Sequence, residues 1–167
     1  LAKTDSIDAQ VLAHFGQAVR PTPRSLPDAQ TQALEALLVR RRQVVAMLTA
    51  EKNRLSRAST PVRQGIRAHI TYLQGELRNL DNALGDSLRT SPLWRERDNL
   101  LQSVPGVGPV LSLTILAAMP ELGTLGRRQA ASLIGVAPLN RDSGTLRGKR
   151  RVWGGRAQVR AALYMAT

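Results

Sequence analysis

The spacing of apolar residues from Ile66 to Leu88 constrains this chain more than any other feature. Ile66, Ile70, Leu73, Leu77, Leu80, Leu84 and Leu88 recur at intervals of 4, 3, 4, 3, 4 and 4. These intervals put all seven side chains on one helical stripe, the seam of a coiled coil with a slip at its end. A strand cannot use such a stripe, because its side chains alternate with a period of two. The helix is expected over about Val62–Leu88. Upstream, Leu34, Leu38, Val45, Leu48 and Leu55 trace a looser stripe, interrupted by Arg41 and Lys52, on a helix expected over about Asp28–Ser59. Thr60-Pro61 reads as the turn between them. Two long helices on a short connection make an antiparallel arm. A single hairpin leaves apolar surface over, which points to pairing with a second copy; packing entirely within the chain is the other reading.

Ahead of the arm, Pro21, Pro23 and Pro27 mark a linker, since three prolines so close cannot continue a helix. Before it, Asp5 is placed to cap a helix running through Ile7, Val11, Leu12 and Phe15. Asp5 and Asp8, three apart, share one face of its first turn. Carboxylates there satisfy loose amides and the helix dipole. They also form a pair able to bind a divalent cation. Both readings stand on the residues alone.

After the arm, Ser91-Pro92 opens another helix as N-cap and first helical residue. It carries Leu93, Trp94, Leu100, Leu101 and Val104 up to Pro105-Gly106-Val107-Gly108-Pro109. Val110, Leu113, Ile115, Leu116 and Met119 give the next helix its apolar face. Two glycines one residue apart permit a tight turn, and Pro109 suits the start of a helix. This is the pattern of a helix-hairpin-helix, in which Gly106, Val107 and Gly108 offer hairpin amides and a helix N-terminus to a phosphate. A plain αα-hairpin has the same residues.

Gly123–Gly126 reads as a loop and Arg127–Val136 as a short helix. The stretch from Pro138 to Arg156 is glycine-rich and basic, an irregular loop or small β-hairpin turning near Ser143-Gly144. Arg156–Thr167 resumes as helix with Val159, Leu163 and Tyr164 inward. The chain carries 24 Lys and Arg against 12 acids, a formal charge of +12. From Arg127 onward there are nine cations and one acid, Asp142. Such an excess selects polyanionic partners, and the arginine fork suits phosphate. The expected contacts are Arg127, Arg128, Arg141, Arg147, Lys149, Arg150, Arg151 and Arg156. The absence of Cys excludes disulfides and thiolate metal sites, and His14 and His69 cannot build a zinc site. The apolar run Val104–Met119 is too short and too interrupted to span a bilayer. With no signal peptide visible, no membrane partner and cytoplasmic residence are expected. A chain that opens at Leu1 and stops at Thr167 inside a helix reads as a fragment of a longer protein.

In this order the landmarks resemble the IS110-family transposases, the serine-using DEDD recombinases of bacterial insertion sequences. The resemblance is carried by residues 3–9 (Lys-Thr-Asp-Ser-Ile-Asp-Ala), the arm, Val104–Pro109, residues 131–138 (Ala-Ser-Leu-Ile-Gly-Val-Ala-Pro), Ser143-Gly144 and residues 160–166 (Arg-Ala-Ala-Leu-Tyr-Met-Ala). It implies that residues 1–20 end a RuvC-like nuclease domain and that 21–27 form a linker. Residues 28–90 would be a coiled-coil dimerisation arm, and 91–167 a helix-hairpin-helix transposase domain truncated at its C-terminus. The fold class expected is mainly α, with a small basic loop or β-hairpin. The resemblance further implies four acids that hold Mg²⁺, with Asp5 and Asp8 matching the last two and the first two lying upstream. It also implies a nucleophilic serine matching Ser143, a bridge RNA that pairs donor with target DNA, and dimers that join into tetramers. The intact protein would cut and rejoin DNA; this fragment would bind nucleic acid without cutting. The residues leave a second class open, a non-catalytic helix-hairpin-helix DNA-binding module on a dimerisation arm. Ser143 would then be a turn serine beside a glycine; no general base lies near it in sequence. A repair glycosylase fits less well, because Glu121 is the nearest acid after the hairpin and no Lys lies between them and Lys149.

Overall fold

The computed structural model describes residues 4–21, 27–140 and 142–167. Among them the chain is mainly helical, with a single pair of short strands. Helix α1 spans Asp5–Val19. Its N-cap is Thr4, not Asp5: Thr4 has the extended backbone a cap requires, and its hydroxyl accepts from the Ile7 amide at 3.4 Å. Asp5 and Asp8 are both in the first turn. Among the described residues α1 packs against no other element, and Val11, Leu12 and Phe15 are exposed. The proline linker lies largely outside the described residues.

Helices α2 (Ala29–Arg57) and α3 (Thr60–Arg89) form the arm. Asp28 caps α2 through the Thr31 amide at 2.7 Å. The connection is Ala58-Ser59; Thr60-Pro61 is the first turn of α3, where proline has no hydrogen bond to lose. The helices run antiparallel, as Gln30 bonds Thr90, Arg41 bonds Asp81 and Glu51 faces His69. The α3 seam is buried or half-buried along its whole length, with Leu73 at 2% exposure. On α2 the residue that enters is Val44, fully buried, while Val45 is 37% exposed. A strict heptad would have chosen Val45, but an α-helix turns 3.6 residues at a time and drifts off that register. The seam is satisfied by its own partner helix. What stays exposed on the arm, Val39, Val45, Val62 and Tyr72, does not repeat at seam spacing, so the surplus stripe expected for a second copy is not present.

Helix α4 (Pro92–Gln102) begins at the Ser91 cap and turns Trp94, Asp98 and Leu101 inward, while Leu93, Leu100 and Val104 are exposed. Helices α5 (Pro109–Ala118), α6 (Arg127–Ile134) and α7 (Ala157–Ala166) complete the helical set, with strands β1 (Asp142–Ser143) and β2 (Leu146–Arg147) between α6 and α7. Tyr164, expected inward, is 79% exposed on α7, whose buried side carries Val159 and Leu163. Three cores hold the molecule. Val44, Leu48 and Leu73 pack the outer arm. Leu34, Leu38 and Leu84 meet Leu113 and Ala117 of α5, with Trp94 against them. Ala118, Met119 and Val159 join α5 to α7, with Leu133 and Ile134 of α6.

Candidate nucleic-acid interface

The glycine turn between α4 and α5 is only partly as its sequence suggests. Gly106 adopts φ +88°, and a Cβ there would stand 3.1 Å from the Ala166 carbonyl, so this position requires glycine. Gly108 has an ordinary φ of −91° and acts as N-cap of α5. No side chain caps this helix and Pro109 has no amide. The Val107 N–H is spent inside the turn, on the Val104 carbonyl at 3.0 Å. Of the three residues expected to face a phosphate, Val107 therefore has no free amide to give.

The basic stretch after α6 forms the small hairpin that its glycines and charge suggested. Asp142 pairs with Arg147 and Ser143 with Leu146 across an antiparallel turn at Gly144-Thr145, and Leu139 bridges Arg151 farther down. Ser143 lies in β1, exposed, at the edge of the turn. The hairpin rises from a narrow neck. There the backbones of Gly135 and Gly155 cross so closely that a Cβ on Gly155 would meet the Gly135 Cα at 2.7 Å. Arg160 donates across the crossing to the carbonyls of Ile134, Gly135 and Gly154. The Arg156 amide bonds the Leu133 carbonyl at 2.9 Å. Nothing in the local sequence advertises this neck, since its partners lie some twenty residues apart along the chain.

The neck also reassigns Arg156, expected on the nucleic-acid surface. Its guanidinium makes two bonds of 2.7 Å to Glu121, and reaches the Ala118 carbonyl and the Met119 sulfur. The hydrogen bond to Glu121 holds the guanidinium above its ordinary range in spite of partial burial. This arginine ties the base of the hairpin to the end of α5. Removing one partner of a buried pair costs about 3–5 kcal/mol. With side chains 19% and 22% exposed, we expect Arg156→Met to cost about 2–4 kcal/mol in denaturant unfolding. Unchanged stability with weakened nucleic-acid binding would return Arg156 to the surface set.

Arg127 and Arg128 are exposed in the first turn of α6. Arg147, Lys149, Arg150 and Arg151 are exposed around the hairpin, and none forms an ion pair among the described residues. Arg141 lies outside the described residues. Trp153, missed from sequence, is 69% exposed beside these cations. An indole next to arginines in a glycine-rich loop is the signal that could have found it.

At the other end of the chain, Asp5 and Asp8 stand one turn apart on α1. Two carboxylates so placed fit two positions around a hard divalent cation. Among the described residues no group of three potential metal ligands forms. Among those residues no helix is long and apolar enough to cross a membrane.

Comparison with known proteins matches both ends of the chain. A family model described as transposase IS116/IS110/IS902 family matches residues 98–167. A second, a DEDD transposase model of the IS110 type, matches residues 1–58. The chain is 28% identical over 167 residues to the pilin gene-inverting protein of Moraxella bovis, covering 98% of this chain and 52% of that protein. It is 30% identical over 122 residues to an uncharacterized 44.8 kDa protein of insertion element IS116 from Streptomyces clavuligerus, covering 72% of this chain and 28% of that one. The chain thus spans about half the length of the first relative and less of the second.

Proposed function

The chain belongs to the IS110 family of insertion-sequence transposases, and from that premise we propose that it is the part of a DNA recombinase that carries the strand-joining serine, Ser143. One observation supports this most. Ser143 is exposed on a hairpin with four cations, Arg147, Lys149, Arg150 and Arg151, that form no ion pair among the described residues, while the single acid there is Asp142. A phosphodiester held by those cations would lie on the hairpin that carries the hydroxyl. The Ser143 oxygen bonds to phosphorus, the bond from phosphorus to one deoxyribose oxygen breaks, and that oxygen takes up a proton. A hydroxyl of the new strand then attacks the serine ester, and Ser143 regains its proton. Phosphoester bonds are conserved in number, so no outside energy is needed. The Moraxella relative is named for inverting a gene, which likewise requires cutting and rejoining.

Cations fixed around the phosphate stabilise the charge that grows on it as the bond forms. Asp5 and Asp8 would hold Mg²⁺ together with two further acids that the family resemblance places upstream. When bound, that ion supplies further charge stabilisation to the reacting phosphate. Gly106, Gly108 and the uncapped start of α5 suit a backbone phosphate, the role of a helix-hairpin-helix. Arg127, Arg128 and Trp153 extend the surface, Trp153 as a stacking platform. The bridge RNA, and pairing of two copies through the arm, enter this reading through the family and not through the arm's packing.

The test is a suicide substrate, nicked so that the covalent intermediate accumulates in the parent protein. Digestion and mass spectrometry should place the DNA adduct on Ser143. An adduct on any other residue overturns the assignment, and a DNA-binding parent that never forms one favours the non-catalytic module.

A further inference from the structure

A second concentration of charge lies at the far end of the arm, away from the hairpin. Between Ala50 and Ile70 the chain carries Lys52, Arg54, Arg57, Arg63 and Arg67 against one acid, Glu51. Nearer the base Arg40, Arg41 and Arg42 stand against one acid, Glu35, while Thr71–Gln102 holds four cations and five acids, so the tip carries one of two basic clusters on the arm. The fold explains part of it. Glu51 takes Arg54 at 2.7 Å, and Arg63 donates to the Ala58 carbonyl at 3.3 Å. Arg54 and Arg57 also suit the last turn of α2, where a helix end is negative.

The rest is unexplained by anything inside the chain. Lys52, Arg57 and Arg67 are exposed and form no ion pair among the described residues. Residues 60–75 of α3 carry no acid, so no carboxylate of that helix lies beside Arg67. Asn53 shares a shallow depression with Arg54 and Arg57 at the tip, floored by Ala58, Val62 and Ile66, and adds an amide donor to the charged ones. Forked cations beside an amide donor match a sugar–phosphate backbone.

We infer that the tip of the arm is a second nucleic-acid contact, holding the phosphodiester backbone of a duplex. The inference rests on the nucleic-acid reading above. The arm is about as long as one turn of duplex. Leu38, where the arm meets α5, and Arg57 at the tip lie on one unbroken helix, and their separation is about 29 Å at a rise of about 1.5 Å per residue. One turn of duplex covers about 34 Å.

The experiment measures binding of the chain to a DNA duplex and to an RNA duplex of roughly 20 base pairs, across a salt series. The variant is Lys52→Gln with Arg57→Gln and Arg67→Gln; the three positions are exposed, so its melting temperature should match the parent. Loss of up to three phosphate contacts should lower the slope of log K against log salt by about 2–3, and affinity by on the order of a hundredfold near 0.15 M salt. Loss on both duplexes, or on only one, supports the site and identifies its nucleic acid. An unchanged slope on both overturns it. A parent chain that binds neither duplex overturns the wider reading instead, and the two failures are thereby separate.

Discussion

Ser143→Ala is expected to abolish strand transfer by the parent transposase while leaving nucleic-acid binding almost intact. Removing the nucleophile of a covalent mechanism lowers turnover by at least about 10⁴-fold. Its contribution to binding is at most one neutral hydrogen bond of about 1 kcal/mol, roughly fivefold in affinity. The competing hydroxyls give the experiment its controls. Thr145 sits in the same turn, but its branched carbon crowds the oxygen. Tyr164 is open to solvent on α7 and so is a real competitor, contrary to its expected place on a packing face. Tyr164→Phe and Thr145→Val should therefore retain strand transfer. If Tyr164→Phe is the variant that fails, the nucleophile is the tyrosine and the hairpin only delivers the phosphate.

The second large effect is expected from a methyl group at the neck. Gly155 adopts φ +62°, and an alanine Cβ would fall against the backbone of Ile134 and Gly135. Strain of the left-handed conformation alone costs about 1–2 kcal/mol. The overlap is with backbone, which cannot swing aside like a side chain, so the neck must open. The Arg160 bonds to three carbonyls and the Arg156 amide bond would open with it. We expect Gly155→Ala to cost about 3–5 kcal/mol, in the range of the most damaging core changes. Hydrogen exchange would report it, with protection lost around residues 133–160 and kept in the outer arm. Protection retained at the neck would show that the crossing can relax.

How much of this was legible follows from the range of each interaction. The α3 seam was readable because every member lies three or four residues from the next, a spacing that only a helix brings to one face. The choice between Val44 and Val45 was not, since it depends on how far the real helix drifts from seven-residue periodicity. Pro61 was misread as a turn because proline marks both turns and first turns of helices, and only the position of the cap distinguishes them. The basic hairpin was readable from its glycines and charge. Arg156 was not, because its partner Glu121 lies thirty-five positions back; by composition it is one more cation in a basic run. The same holds for Gly135 and Gly155, each an ordinary loop glycine until the two are seen to cross. The candidate site was thus legible in its chemistry, while the geometry that presents it was set by contacts far apart in the chain.

The core that joins Leu34, Leu38 and Leu84 of the arm to Leu113 and Ala117 of α5 bears on how this chain can be divided. A cut between Thr90 and Ser91, the natural boundary on sequence grounds, would leave the base of the arm and the underside of α5 each with a raw apolar face. Transplanting the C-terminal helices onto another protein therefore means carrying residues 29–45, and at least 84–88, along with them. For anyone building a chimeric recombinase, the exchangeable part of the arm begins beyond Val45, because Arg41, Arg42 and Val45 still line a cavity with Gly106, Gly108 and Val110. The tip can be shortened, lengthened or recharged there without disturbing the helices that raise Ser143.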